Sequence, residues 1–203
     1  MENNSIRVQG KVLTEPKLET VVQDAEDIYI FDIEVKRKSG TVDVLKVRIS
    51  NITSGFDSIT VGTILEVCGE VRTRQKHGRL EHSIFCKDLS LIYHEVDTTE
   101  NNACKLVGRV YKEPLKRKAK KTDRVLCDTV LEVSSNHGKK YYIPCITWGR
   151  YADVLASASK GDMVTANGRF QSRVIYKNES SFNVYELSAN NISVERKNKD
   201  AIC

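Results

Sequence analysis

Gly69-Glu70-Val71-Arg72-Thr73-Arg74 returns later in the chain as Gly168-Arg169-Phe170-Gln171-Ser172-Arg173, an offset of 99 residues. Working outward, Val61-Gly62-Thr63-Ile64 and Lys160-Gly161-Asp162-Met163 keep the same offset of 99. Nearer the two starts, Arg7-Val8-Gln9-Gly10-Lys11-Val12 and Lys105-Leu106-Val107-Gly108-Arg109-Val110 stand 98 apart, as do Glu15-Pro16 and Glu113-Pro114. A register held this steadily marks a duplicated unit, and a period of about 100 residues is a domain rather than a solenoid repeat. The expected division is a first domain over 1–95, a polar linker over 96–102, a second domain over 103–195 and a polar tail over 196–203.

Each copy reads as mostly strand. Ile28 to Val35 ends in apolar/polar alternation, the pattern of a half-buried strand, and residues 42–49, 64–72 and 84–92 are similarly rich in β-formers. The second copy repeats the series at 104–111, 125–133, 140–148, 163–170 and 182–189, with Asn136-His137-Gly138 as a hairpin turn. One helix is predicted over Arg150–Ser159, with Tyr151, Val154, Leu155 and Ala158 on one face and Lys160-Gly161 closing it. Asn51–Ile59 fills the same slot in the first copy with a turn or two. Five strands with a helix between the third and fourth is the OB order, so the expectation is all-β: two tandem OB-fold five-stranded barrels, each with one short helix.

Composition excludes several classes. Of 203 residues, 40% are hydrophobic and 29% charged, as in an ordinary globular chain. No apolar run reaches the roughly 20 residues of a membrane span. Met1-Glu2-Asn3-Asn4-Ser5 has neither a basic nor an apolar leader region, so a cytoplasmic protein is expected. The six cysteines form no C-x-x-C pair and lie mostly in apolar runs, where they read as reduced, buried thiols rather than metal ligands. No G-x-x-x-x-G-K-[ST] loop, H-E-x-x-H helix or metal-binding carboxylate cluster is present, so no enzyme, metal or cofactor is expected.

Net charge is +5, and it is unevenly spread. Lys116-Arg117-Lys118-Ala119-Lys120-Lys121 is the densest basic run, placed in the loop between the first two strands of the second copy. An exposed loop is often merely solvated. Five cations in six residues repel one another unless an anion arrives, which favours phosphate contact. The matching loop of the first copy, Glu19 to Asp27, is acidic. That copy carries Lys36-Arg37-Lys38 at a hairpin, then Arg72, Arg74, Lys76 and Arg79, and Lys46 and Arg48 alternate on one strand face, where a groove would show charge. Tyr29 and Phe31 share a strand face and read as core.

In the second copy, Val107-Gly108-Arg109-Val110, Pro114, Tyr142-Ile143-Pro144-Cys145-Ile146-Thr147-Trp148-Gly149-Arg150-Tyr151-Ala152-Asp153, Lys160-Gly161-Asp162 and Gly168 to Arg173 follow in an order that resembles the bacterial single-stranded DNA-binding protein family. The first copy carries only the glycines, the proline and Arg72-Thr73-Arg74, so the whole resembles a tandem-OB variant of that family. The resemblance implies base stacking by Tyr142, Trp148 and Tyr176, and phosphate contacts by Arg150, Arg169 and Arg173. Adjacent Tyr141 and Tyr142 point to opposite faces of a strand, and the resemblance selects Tyr142 for the groove. Asp43 and Ile49 align with Tyr142 and Trp148, leaving the first copy without those aromatics, and the family's acidic C-terminal tail is absent from Lys197 to Cys203.

Binding single strands without sequence preference needs a cationic groove and flat aromatic faces together. The expected function is therefore a protein that coats single-stranded DNA during replication, recombination or repair. By resemblance it would act as a homodimer of four OB folds, with any replication or recombination partner recruited by a route other than an acidic tail. A primosome-type OB adaptor and an RNA-binding OB protein stay open as alternatives, with a nuclease a distant one.

Overall fold

The computed structural model describes residues 3–21, 26–76, 78–119, 122–135, 137–177 and 180–197, the side chains of residues 176, 177, 180 and 182 excepted. The first copy runs β1 (Asn4–Val12), β2 (Lys17–Thr20), β3 (Ile28–Lys36), β4 (Val42–Ser50), β5 (Ile64–Lys76) and β6 (Arg79–Leu91), with one 3-10 turn at Phe56–Ser58. The second runs β7 (Asn102–Val110), β8 (Leu115–Lys118), β9 (Val125–Ser134), β10 (Lys140–Trp148), α1 (Arg150–Ala156), β11 (Met163–Lys177) and β12 (Ser180–Glu195). Strand order is β2-β3-β4-β6-β5-β1 in the first copy and β8-β9-β10-β12-β11-β7 in the second. Each order closes on itself, through Lys11 opposite Glu34 and Arg109 opposite Glu132. The parallel pairs β4–β6 and β10–β12 complete an OB barrel.

Alternation fills the two cores. Val8, Phe31, Ile33, Leu45, Ile49, Leu65, Val67 and Ile84 are buried in the first copy, and Leu106, Leu131, Val133, Ile143, Leu155, Val164 and Leu187 in the second. Phe31 is core as expected, but Tyr29 is half-buried, its ring 4.8 Å from that of Phe56. Cys86, Cys104, Cys127 and Cys145 are buried thiols and Cys68 is half-buried. Burial pushes Cys86 and Cys145 up to about 12, far from the thiolate form.

The glycines that carry the repeat have a geometric cause. A Cβ on Gly10 would stand 2.7 Å from the Glu34 carbonyl oxygen, and one on Gly108 would stand 2.6 Å from that of Glu132. On Gly69 and Gly168 it would come within 2.0 and 2.1 Å of the carbonyl oxygens of Phe85 and Ser188. These are the points where the barrel strands cross with backbone against backbone.

Several expectations are corrected. Leu115–Lys118 is a strand paired with Val125–Asp128, not a loop. The helix ends at Ala156, three residues short of Ser159, and its buried residues are Ala152 and Leu155 while Val154 is 37% exposed. Seven residues make under two turns, so the apolar stripe is the i, i+3 pair and no more. Gly161, at φ +96°, instead shapes the turn into β11 and donates its N–H to the Val110 carbonyl. β11 runs on to Lys177 and β12 spans Ser180–Glu195, both beyond the expected strand limits of 163–170 and 182–189. Residues 178–179 lie outside the described residues, as do Asn136, residues 22–25 and residues 198–203.

The alignment of Asp43 and Ile49 with Tyr142 and Trp148 is also corrected. Tyr142 faces Glu132 across β9–β10, and Glu34, the first-copy equivalent of Glu132, faces Val44. Likewise Trp148 pairs with Leu126, and Ile28 pairs with Ser50. The offset is thus still 98 in this strand, so the counterparts are Val44 and Ser50. Asp43 and Ile49 are fully buried, on the opposite face. A slip of one residue exchanges the faces of a strand, and the extra residue of the second copy falls in the helix slot, between Trp148 and Gly161.

The described residues cluster into two compact units. One comprises 3–4, 104–169 and 186–197; the other comprises Ser5–Ala103 with the hairpin arm Phe170–Tyr185. Within the latter, the Val44 N–H donates to Ser172 Oγ at 2.9 Å and the Ser172 N–H donates to Asp43 Oδ1 at 2.8 Å. Residues 97–101 are folded rather than free: Asn101 is buried, donates from Nδ2 to the Lys36 carbonyl and accepts from the Gln9 N–H.

Candidate nucleic-acid interface

Strand alternation decides what β10 shows. Tyr141, Ile143 and Cys145 point into the second-copy barrel, while Lys140, Tyr142, Pro144 and Trp148 stand on the outer face. Tyr142 and Trp148 therefore share a face, six residues or about 20 Å apart. Each has company. The Tyr111 ring centre is 4.6 Å from that of Tyr142, tilted by 58°, and Lys160 Nζ lies 5.8 Å from the Tyr111 ring. At the other end the Arg124 guanidinium is 5.4 Å from the Trp148 ring. Between them Pro144 and Val130, opposite each other, leave a half-buried apolar waist.

One carboxylate sits among the aromatics. The Tyr142 hydroxyl donates to Glu132 Oε2 at 3.2 Å, and Lys140 Nζ lies 2.9 Å from Glu132 Oε1. The Lys140 ammonium, then Tyr142 and Arg109, hold the Glu132 carboxyl below its ordinary range, so it is an anion at neutral pH. Partial burial, then Glu132, pushes the Tyr142 phenol up.

The cations of the second copy gather beside Trp148. Lys116, Arg117 and Lys118 are exposed on β8, with Lys116 Nζ 2.5 Å from Asp153 and Arg117 2.7 Å from Asp128. Arg150 opens α1, lies over the Tyr151 ring at 4.8 Å and donates to its hydroxyl. Exposed pairs of this kind contribute at most about 1 kcal/mol. They hold the cations in place without withdrawing them from an incoming phosphate. Lys120 and Lys121 lie outside the described residues, as does the Tyr176 side chain, although Tyr176 is placed on β11. Arg169 is half-buried on β11, and Arg173 is exposed on the hairpin arm.

The first copy disposes of its cations differently. Arg48 is buried, and its guanidinium donates to Glu19 at 2.6 and 3.0 Å, to Glu81 at 3.1 Å and to Ser83 at 2.5 Å. Arg74 joins Glu19 at 2.8 Å. Arg72 stacks 3.6 Å over the Phe85 ring and donates to Glu70. Lys46 pairs with Asp32 at 3.3 Å, and Lys46 and Lys76 line a cavity of about 910 Å³ with Arg79, His82 and Tyr185. The Lys46/Arg48 alternation is a real face, but Arg48 is turned into an internal ion-pair network by acids from β2 and β6.

Tyr111 and Arg124 were not singled out from the sequence, and Lys160 was marked there only as part of the repeat and the helix end. Tyr111 lies just past β7 and is 42% exposed, the one signal that could have marked it being an aromatic in a polar turn. Among the described residues no group of His, Cys, Asp and Glu is placed to hold a metal ion, and no helix is long and apolar enough to cross a membrane.

Comparison with known proteins bears on the fold and on the second copy. The model of the "Single-strand binding protein family" matches residues 101–195. The wild-type single-stranded DNA binding protein from Thermus aquaticus superposes with a TM-score of 0.72 at 14% identity, covering 98% of this chain and 95% of that one. A deletion mutant of the same protein gives 0.71 at 16% identity, covering 98% and 96%. At such identity the likeness is one of fold, and it extends over both copies. No curated protein matches the chain. Residues 101–195, the second copy, thus match the single-strand binding protein family, and the fold of the whole chain is that of two OB barrels in tandem.

Proposed function

We propose that this protein coats single-stranded DNA, with its principal contact surface on the outer β9–β10 face of the second copy. The observation that carries the reading is the pairing of aromatics and cations on that face: Tyr142 with Tyr111 and Lys160 at one end, Trp148 with Arg124 at the other. Unpaired bases stack on the rings, each stack contributing about 1–3 kcal/mol, while Lys116, Arg117, Lys118, Lys120, Lys121, Arg150, Arg169 and Arg173 track the phosphates. Duplex DNA offers no exposed base faces and is discriminated against. The first copy, with Val44 and Ser50 at the stacking positions, acts chiefly as scaffold, and Lys46, Arg72, Arg74 and Lys76 give it a weaker phosphate path. Arg48 is left out of that path because Glu19, Glu81 and Ser83 take its donors.

We extend the proposal to a non-enzymatic protein of the cytoplasm that works in replication, recombination or repair as a homodimer presenting four OB folds. Trp148 is the only tryptophan, so its fluorescence reports one end of the face. Titration with oligo-dT should quench it, duplex of equal length should not, and affinity should fall steeply with salt as counterions are released. Removing Lys116 and Arg117 should reduce the salt slope by about 1.4, about 0.7 for each single-strand phosphate no longer neutralised. Equal binding of duplex, or no binding of oligo-dT, would sink the reading; sedimentation of the full chain tests the dimer.

A further inference from the structure

We infer that Glu132 gives the Tyr142 end of the face a preference for guanine. The inference rests on the single-strand reading above and adds to it a base-edge contact. A carboxylate is out of place on a surface meant for phosphates, and here it is not an outlying charge: it is opposite Tyr142 in register and hydrogen-bonded to its hydroxyl at 3.2 Å. A base stacked on Tyr142 therefore presents its edge near Glu132, while its phosphate is driven toward the surrounding cations.

Glu132 is held in place. Tyr142 occupies one site on Oε2 and Lys140 one on Oε1. An ionised carboxylate offers about four lone-pair sites, so one remains on each oxygen. Two parallel acceptors select two parallel donors. Guanine alone of the four bases has adjacent N1–H and N2–H donors on its Watson–Crick edge, where single-stranded bases are read. Thymine offers N3–H between two carbonyl oxygens that the carboxylate repels. Adenine and cytosine each offer an amino group beside an acceptor ring nitrogen. The first copy has Glu34 opposite Val44, a carboxylate without a ring, so the preference belongs to the second copy.

The test uses the full chain and oligonucleotides of equal length: oligo-dT, alternating thymine–guanine, alternating thymine–inosine and alternating thymine–adenine. The readout is the ratio of dissociation constants, with melting of each variant confirming its fold. The thymine–guanine strand should bind about fivefold tighter than oligo-dT, the lower end of what one bidentate contact confers. Inosine keeps the purine ring and N1–H but lacks the amino donor, and should lose most of that gain; adenine controls for purine stacking. In Glu132→Gln the thymine–guanine advantage should fall to the level of thymine–adenine. A ratio near one in the wild-type chain, a guanine advantage no greater than that of adenine or inosine, or one untouched by Glu132→Gln overturns the inference while leaving single-strand binding intact. Failure to bind any of the strands overturns both.

Discussion

Arg48 Nε donates to Glu19 Oε2 at 2.6 Å, and both side chains are only 8% exposed. Arg48 belongs to β4 and Glu19 to β2, so the pair fastens the short second strand over the barrel, with Glu81 and Ser83 of β6 completing the guanidinium's contacts. Removing one member leaves a buried charge without its main partner. Arg48→Ala should lower the unfolding free energy by about 3 kcal/mol, the low end for breaking a buried pair. Urea denaturation followed by far-UV circular dichroism checks this, and a loss below about 1 kcal/mol, the range of an exposed pair, would show that solvent reaches it.

The same pair sets an acid limit. Arg48, foremost through its hydrogen bond, holds the Glu19 carboxyl below its ordinary value of 4.5. A depressed carboxylate contributes its stability above the unfolded value and loses it as pH falls through the folded one. The stability difference between wild type and Glu19→Gln should therefore be at full size at neutral pH and shrink only below pH 4.5. Denaturant midpoints across an acid series measure it; a difference independent of pH would separate Glu19 from the acid response.

Stacking separates the Tyr142 ring from its hydroxyl. Tyr142→Ala should weaken oligo-dT binding by about 1–3 kcal/mol, whereas Tyr142→Phe, which keeps the ring, should retain most of the affinity. Equal losses in the two variants, measured by fluorescence anisotropy, would put the contribution in the hydroxyl instead.

Close strand crossings make a prediction about glycine. Gly168→Ala would bring a Cβ within 2.1 Å of the Ser188 carbonyl oxygen, with Ala189 Cα also at 2.7 Å. Both neighbours are backbone and cannot swing aside, so a loss of about 3 kcal/mol, the upper end for overpacking, is expected. Gly138→Ala has nothing within 4 Å and carries only the strain of φ +75°, and should cost about 1 kcal/mol. Thermal melts of the two variants give the ordering, and equal losses would count against the crossing as the cause.

Much of this was legible in the chain because barrels write their crossings and alternation locally. Gly10, Gly69, Gly108 and Gly168 mark crossings, and the period of two set Tyr141 and Tyr142 on opposite faces, the family resemblance selecting which of them faces the groove. β2 and β8 escape a sequence reading because four-residue strands of charged residues carry no apolar alternation; only their pairing with β3 and β9 shows them as strands. Arg48 has the sequence pattern of a groove cation because its partners, Glu19 and Glu81, are 29 and 33 residues away in the chain. The Tyr142 counterpart is easily misplaced by one because the repeat changes offset inside the helix slot, where no landmark glycine stands to date the change. Tyr111 and Arg124 each join the aromatic face from a turn, and a turn has no periodicity to read.

The four crossing glycines also bear on where the two halves differ. Both copies carry hydrogen as the side chain at the crossings where a larger group would strike a neighbouring carbonyl. On the outer face they differ, Val44 against Tyr142 and Ser50 against Trp148. The residues that set the shape of the barrel and those that set its outer surface are thus separate. Exchanging the outer rings for small side chains leaves the crossings untouched, so the surface of either half can change while its barrel stands.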